Sequence, residues 1–230
     1  MIYQDRRAAG RILAEAIQRA FRARADLAPA VVLGLPRGGV PVAFEVARAC
    51  NFGLDILVVR KLGAPGQREL AIGAIASNGT VALNHGILRE LRIREETLQT
   101  AMRREQEVAQ MQEGIYREGR PPMALEGQTA ILVDDGLATG ATMRAGVRAA
   151  RLQAGRVIVA VPVGAAEACN DLSQEADLVI CPYVPVSFGA VGQFYRSFAA
   201  TSEQEVCQLL AQGQTAVFAD GAGEARKPVR

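Results

Sequence analysis

The sequence predicts an α/β fold in which a twisted, mostly parallel sheet is flanked by helices. Short, continuous apolar runs rich in β-branched residues recur along the chain, which is typical of parallel strands buried on both faces. Segments with apolar residues at helical spacing separate these runs. Alternation of this kind implies right-handed crossovers, with ligands bound at the carboxyl ends of the strands.

The predicted elements follow in chain order. Strands are expected at 30–35, 54–59, 130–133, 156–161 and 178–181, and a hairpin joins 71–76 to 80–83 through the turn Ser77-Asn78-Gly79. Helices are expected at 5–24, 40–50, 87–118, 141–154, 165–175 and 202–210. We expect one domain over 1–220 and a frayed tail over 221–230.

Two segments are more ambiguous. The polar, Gly- and Pro-containing stretch 60–69 is predicted to be a mobile loop. The charged helical excursion 87–120 has only a narrow apolar stripe, which suits either a surface helix laid on the sheet or a dimer contact.

Composition limits the classes of function. The chain has 230 residues, of which 50% are hydrophobic and 22% charged, and its formal net charge is +2. This charge creates no strong field for nucleic acid or membranes, and no apolar stretch approaches the roughly 18 residues of a membrane span. The N-terminus lacks the apolar core of a signal peptide. We therefore expect a cytoplasmic protein without a nucleic-acid or membrane partner.

Cysteine and histidine usage narrows the chemistry. The four cysteines are scattered without a C-x-x-C pair, which favours buried reduced thiols over a metal site or disulfides. His85 is the only histidine, so most Ser/His and Cys/His nucleophile schemes are excluded. The remaining chemistry must depend on binding, acids and a metal.

The stretch from Thr129 to Met143 is the centre of the prediction. Asp134 and Asp135 follow a buried strand, and 136–140 turns the backbone into a helix. The first N–H groups of that helix and the nearby Thr hydroxyls would form an anion cradle suited to phosphate. Acids beside such a cradle suit a ligand that is also a polyol, since carboxylates accept hydrogen bonds from sugar hydroxyls and attract a divalent metal. No Lys precedes the Thr, so this is not a Walker loop. The pattern predicts a sugar-phosphate site.

Three motifs carry a resemblance to a known family. Val133-Asp-Asp-Gly-Leu-Ala-Thr-Gly-Ala-Thr142 resembles the phosphoribosyl-pyrophosphate (PRPP) signature of the type I phosphoribosyltransferases. Leu35-Pro-Arg-Gly-Gly39 is similar to their pyrophosphate loop, and Val58-Val-Arg-Lys-Leu-Gly63 to the Arg-Lys stretch of the adenine phosphoribosyltransferases. The whole chain looks most like uncharacterised bacterial phosphoribosyltransferase-domain proteins. The resemblance implies the type I phosphoribosyltransferase fold with a small hood at 186–200 and a flexible lid loop.

This resemblance also implies an activity: transfer of 5-phosphoribosyl from PRPP to a nucleobase-like nitrogen acceptor, with release of pyrophosphate, in a Mg²⁺-dependent homodimer. Asp134, Asp135, Arg60 and Lys61 would be the catalytic residues, and the two acids would meet the metal indirectly, through ribose hydroxyls or water. The 5-phosphate would be bound by Ala138, Thr139, Gly140, Ala141 and Thr142. The pyrophosphate would be bound by Pro36, Arg37, Gly38, Gly39, Arg60 and Lys61.

The resemblance assigns less specific parts as well. Arg68 and Glu69 would belong to the lid, which excludes water when it closes. The base would stack on the hood residues Phe188, Val191, Phe194 and Tyr195. Aromatic core packing explains the hood residues almost equally well, and a solvated basic pair is the alternative for Arg60 and Lys61.

The acceptor and the class of function stay open at this point. Ala138 occupies the position where the hypoxanthine-guanine branch has an acid, which disfavours a 6-oxopurine, yet the N-terminal base-binding segment of the adenine enzymes has no clear match. The first alternative is a PRPP- or nucleotide-binding regulator of the same fold, although no basic helix-turn-helix is evident. The second is a phosphohydrolase or kinase-like enzyme, which would need a water-activating base or a Walker lysine.

Overall fold

The computed structural model describes residues 1–220, apart from the side chains of residues 68, 69 and 214–220. The strands are β1 (Ala30–Gly34), β2 (Gly53–Ile56), β3 (Val59–Ala64), β4 (Gln67–Ala76), β5 (Val81–Leu83), β6 (Thr129–Val133), β7 (Arg156–Ala160) and β8 (Leu178–Ile180). The helices are α1 (Arg6–Ala23), α2 (Gly39–Cys50), α3 (His85–Glu90), α4 (Glu95–Arg117), α5 (Ala141–Arg151), α6 (Ala166–Leu172) and α7 (Glu203–Asp220). None of the described helices is long and apolar enough to cross a membrane.

Five of the strands form a parallel sheet in the order β2-β1-β6-β7-β8. Every residue of β1 and β6 is buried, as their continuous apolar sequences predict. One face of the sheet packs against α1, α2 and α7, and the other against α5 and α6. The predicted fold class, a parallel sheet flanked by helices, is confirmed.

The strand order places two loops side by side. From β1 the chain adds β2 on one side of the sheet, and β6, β7 and β8 on the other, so the order of strand addition reverses between β1 and β6. These two strands pair in parallel, with Leu33 opposite Leu132 and Gly34 opposite Val133. Such a reversal opens a crevice at the carboxyl ends of the strands. The loop after β1 and the loop after β6 therefore leave the sheet at this crevice.

The predicted loop at 60–69 is wrong, because most of it is strand. Strands β3 and β4 pair in antiparallel fashion across a two-residue turn, with Ala64 opposite Gln67. Gly66 closes this turn at φ 77°, a conformation that glycine adopts without a steric cost. Leu62 and Ala64 face inward and are buried, so alternate residues anchor a stretch that reads as polar overall. The predicted strand at 54–59 is accordingly split between β2 and β3, whereas the hairpin of β4 and β5 is confirmed.

The helical excursion is two helices rather than one. The helical conformation is interrupted between α3 and α4, where Arg92 has φ 49°. Helix α4 packs against β3 and β4 and against α7, burying Leu98, Ala109 and Tyr116. Of the two interpretations given to this segment, packing on a sheet is observed. The predicted tail at 221–230 lies outside the described residues.

Candidate functional site

Glycines let the loop after β1 contact the loop after β6. The backbone N–H of Leu35 donates to the carbonyl oxygen of Val133 at 2.9 Å. A Cβ at Gly39 would come 2.5 Å from that same oxygen, and one at Gly38 would collide with the carboxylate of Asp135. The Pro36–Arg37 peptide bond in this loop is cis. The predicted pyrophosphate loop thus touches the predicted ribose-binding acids.

Asp134 and Asp135 lie at the carboxyl end of β6, where both are half-buried. The Oδ1 atom of Asp134 accepts a hydrogen bond from the backbone N–H of Asp135 at 2.8 Å. Burial and the adjacent Asp135 raise the pKa of Asp134 well above its ordinary value. Burial also raises the pKa of Asp135, although its bond to Arg6 opposes that rise. A ligand that supplies hydroxyl donors or positive charge would stabilise the ionised form of these two carboxyls.

Arg6 is a site residue that the sequence analysis missed. Its Nε lies 2.8 Å from Oδ2 of Asp135, with the two side chains only 12% and 14% exposed. Its guanidinium lies 4.0 Å from the ring centroid of Phe198, and its Nη1 donates to the carbonyl oxygen of Ala199 at 2.6 Å. In the sequence, 129 positions separate Arg6 from Asp135, and no motif marks it. Helix α1 and the segment near Ala199 therefore meet at the acid pair.

The loop into α5 presents the predicted phosphate cradle. The backbone N–H groups of Ala138, Thr139 and Gly140 make no hydrogen bond within the described part of the chain. Those of Ala141 and Thr142 open α5, where the helix has no preceding turn to supply an acceptor. Gly140 is the residue that caps the N-terminus of α5, with φ 74°. Consecutive N–H donors at the positive end of a helix dipole favour an anion such as phosphate.

The three predicted pyrophosphate cations line a single cleft of about 490 Å³. Arg37 is exposed and forms no ion pair with the described residues. Arg60 extends from β3 and donates from Nε to Oε2 of Glu105 at 2.6 Å, and from Nη1 to Oε1 of Gln112 at 3.2 Å. Lys61 follows Arg60 on the same strand. The structure thus unites residues from two motifs that the sequence placed about 23 positions apart.

Comparisons with known proteins show the family of the chain. The family model described as "Phosphoribosyl transferase domain" matches residues 2–180. The chain belongs to the phosphoribosyl transferase domain family. Two proteins of Mycobacterium tuberculosis, from strains CDC 1551 / Oshkosh and H37Rv, carry the name "Putative phosphoribosyl transferase" and are 43% identical to it over 210 residues, 91% of the chain. The chain spans about half of their length, 46%.

A solved structure is similar as well. The crystal structure of TT1426 from Thermus thermophilus matches at 40% sequence identity with a TM-score of 0.79. The match covers 92% of this chain and 99% of that one. A crystal structure therefore shows the same architecture over nearly the whole length of the present chain.

Part of the predicted hood belongs to the hydrophobic core of the protein. Phe194 and Tyr195 are only 8% and 6% exposed, and they pack with Tyr3 and Val163. The hydroxyl of Tyr195 donates to the carbonyl oxygen of Asp135 at 2.5 Å. The alternative interpretation, aromatic core packing, fits these two residues.

Two hood residues lie closer to the surface. Phe188 and Val191 are half-buried, and Val191 covers the phosphate loop, because a Cβ at Gly136 would lie 2.6 Å from its Cγ1. Base stacking on the hood stays a prediction.

The lid and the metal also stay predictions. Arg68 and Glu69 belong to β4, but their side chains lie outside the description. No group of three or more His, Cys, Asp or Glu side chains able to hold a metal ion occurs among the described residues. A metal ion at the acid pair would therefore need further oxygen ligands, which a bound substrate can supply.

Proposed function

We propose that this protein transfers a 5-phosphoribosyl group from PRPP to a nucleobase-like nitrogen acceptor and releases pyrophosphate. The observation that carries the proposal is the convergence, at the carboxyl ends of β1 and β6, of an anion cradle, an acid pair and a cationic cleft. PRPP carries a phosphate, a diol and a pyrophosphate, which match these three parts. Membership of the phosphoribosyl transferase domain family supports the proposal.

Each part of the site has a role in this reaction. The N–H groups and hydroxyls of 138–142 hold the 5-phosphate, and Asp134 and Asp135 accept hydrogen bonds from the ribose hydroxyls. In the reaction the bond from C1 to the pyrophosphate oxygen breaks and its electron pair leaves with pyrophosphate. A C1–N bond then forms with the acceptor, and the proton on that nitrogen is lost to solvent. The carboxylates stabilise the positive charge that develops on the sugar, and the cations of the cleft stabilise the leaving group. Positioning and electrostatics can supply much of such a barrier.

Magnesium fits this site as a companion of the substrate. One oxygen of Asp135 is already bonded to Arg6, so the acid pair offers only a few carboxylate oxygens. Mg²⁺ prefers oxygen ligands and is often bound by one or two carboxylates together with substrate phosphates. Asp134 and Asp135 would hold it indirectly, through ribose hydroxyls or water. When bound, it would neutralise charge on the pyrophosphate.

A second candidate is a PRPP- or nucleotide-binding regulator without catalysis. Two observations favour it: Asp135 is already paired with Arg6, and Phe194 and Tyr195 are packed into a core cluster where they offer little surface to a base. Such a protein would bind PRPP without turnover. Fold alone does not distinguish the two functions.

The proposal includes a homodimer. Met111 and Ile115 on α4 are 62% and 45% exposed, and such apolar side chains are candidates for a subunit contact. Light scattering on the purified chain should give about twice its mass of 24.4 kDa. A monomer at all concentrations tested would remove this part of the proposal.

The test is calorimetric titration of PRPP with Mg²⁺, followed by a pyrophosphate-release screen over adenine, guanine, hypoxanthine, xanthine, uracil and orotate. We expect binding, and release with one class of base. Binding without release for any base would support the regulator, and absence of PRPP binding would refute both candidates.

The double variant Asp134→Asn/Asp135→Asn tests the roles of the acids. We expect transfer to fall by about 100-fold or more, because the neutral amides no longer stabilise the cationic sugar. Asp171→Asn, which changes an exposed acid on α6, is the matched control and should retain activity. Normal turnover in the double variant would show that these acids do not hold the ribose.

A further inference from the structure

Helix α4 turns one polar face toward the cationic cleft. Glu105, Gln112 and Tyr116 lie on this face, since separations of seven and four residues return to the same side of a helix. The first two bond to Arg60 and fix its guanidinium at the cleft wall. The third, Tyr116, lines the cleft as well.

The hydroxyl of Tyr116 has no assigned role in the folded chain. The residue as a whole is buried, and its hydroxyl forms no hydrogen bond with any described side chain or backbone group. The hydroxyl is not enclosed but opens onto the cleft, so an oxygen of a ligand bound there can accept its hydrogen bond. The charges that act on this phenol come from three elements: Arg37 after β1, Arg60 on β3 and Glu203 on α7.

The chemistry of the phenol defines what it can bind. Burial, helped by the nearby Glu203, raises the pKa of Tyr116 above its ordinary value, so the hydroxyl stays protonated at neutral pH. A protonated phenol donates one hydrogen bond to an oxygen acceptor. With Arg37 and Arg60 at the same cleft, the favoured acceptor is an anionic oxygen.

We propose that Tyr116 donates a hydrogen bond to an oxygen of the pyrophosphate group, so that α4 forms one wall of the pyrophosphate site. This inference rests on the proposed function, because that function places pyrophosphate in the cleft. It gives α4 a role beyond packing on β3: Glu105 and Gln112 orient Arg60, and Tyr116 contacts the ligand. The contact is specific to the pyrophosphate, because the cradle for the 5-phosphate is built from the loop after β6.

The substitution Tyr116→Phe removes the hydroxyl and keeps the buried ring, so the fold should persist. The affinities of the full chain for Mg²⁺-pyrophosphate and for ribose 5-phosphate are measured by calorimetry. We expect pyrophosphate to bind about 10- to 100-fold more weakly, the usual loss for a hydrogen bond to a charged group, and ribose 5-phosphate to bind unchanged. The control Tyr183→Phe removes a phenol that packs on Phe194 away from this cleft, and should change neither affinity.

The outcomes separate this inference from the proposed function. Unchanged pyrophosphate affinity in Tyr116→Phe, or an equal loss for both ligands, would overturn the assignment even if PRPP is turned over. A selective loss for pyrophosphate in a protein that shows no transfer would support the assignment and count against catalysis. A wild-type protein that binds no pyrophosphate would overturn the assignment outright.

Discussion

At the scale of single residues, the two adjacent acids of the PRPP motif differ in their partners. Asp135 pairs with Arg6, whereas Asp134 accepts only a backbone N–H within the described chain. Both have raised pKa values because they are removed from water, but only Asp135 has a cation to offset the cost. Asp134 is therefore the acid whose charge depends most on a ligand.

This difference predicts effects of unequal size for two amide substitutions. The raised pKa of folded Asp134 means that its stabilising contribution is complete below the ordinary aspartate range and is lost as the pH rises through the raised value. Asp134→Asn should therefore raise the free energy of unfolding at pH 7 by about 1 kcal/mol or more, with a smaller gain near pH 4. Asp135→Asn should raise it less, because the bond to Arg6 already offsets part of the cost of burying this carboxylate.

Urea unfolding of the ligand-free protein between pH 4 and pH 8 measures both effects. A difference between Asp134→Asn and the wild type that does not vary with pH would contradict the titration argument. A gain in Asp135→Asn as large as that in Asp134→Asn would show that the Arg6 pair contributes nothing to the fold.

At the scale of elements, the start of α2 determines how closely the two loops approach. Gly39 opens this helix, is fully packed, and lies where a Cβ would meet Val133 and Asp134. Its role is steric rather than conformational, since the position requires no left-handed backbone. A glycine in the first turn of a helix lowers its stability somewhat. At this position the absence of a Cβ permits contact between the pyrophosphate loop and the acids.

Substitution of this glycine tests the close approach. Gly39→Ala should destabilise the protein by about 1–3 kcal/mol and weaken PRPP binding, because the added methyl group pushes the loop after β1 away from β6. The control is Gly114→Ala in α4, where a Cβ would meet nothing within 4 Å. That change should be neutral or stabilise by up to about 1 kcal/mol. Thermal unfolding and PRPP calorimetry on both variants measure the contrast, and equal behaviour of the two would refute it.

At the scale of the whole molecule, α4 connects the small antiparallel sheet to the large parallel one. Its residues contact β3 and β4, while Arg117 at its end donates to Oδ1 of Asp55 on β2 at 2.5 Å. The pair is nearly buried, with side chains 11% and 3% exposed, and Oδ2 of Asp55 also accepts the backbone N–H of Met123 at 2.8 Å. The position of the cleft wall formed by α4 therefore depends on a contact with the central sheet.

Breaking this contact should be costly. Arg117→Ala leaves Asp55 buried without its cation, and we expect a loss of about 3–5 kcal/mol in the free energy of unfolding. Pyrophosphate affinity should also fall, because α4 loses its anchor. Arg103→Ala removes an exposed arginine from the same helix and should stay within about 0.5 kcal/mol of the wild type. Urea unfolding compares the two, and a loss no larger in Arg117→Ala would contradict the anchoring role.

The parallel sheet, the order of its main elements and the two glycine-rich loops follow from the amino-acid sequence alone. Buried parallel strands have a continuous apolar signature, as in Thr129–Val133, and a turn into a helix has local backbone requirements. Motifs such as Val133 to Thr142 are contiguous, so their chemistry can be read without the fold. For the same reason the family could be predicted from about thirty residues in three short stretches.

The residues that lie opposite these motifs depend on how the helices and strands pack. Arg6 contacts Asp135 from a helix 129 positions earlier in the sequence. Tyr116 lines the cleft from a helix whose sequence predicts only a charged surface segment, and Phe194 and Tyr195 are buried. The sequence of 60–69 is typical of a loop, because its few apolar residues, such as Leu62, are stabilised by contacts with residues far from them in the sequence. Local sequence encodes periodicity and turn chemistry, whereas the choice of partner across 50 to 130 positions depends on how the elements pack.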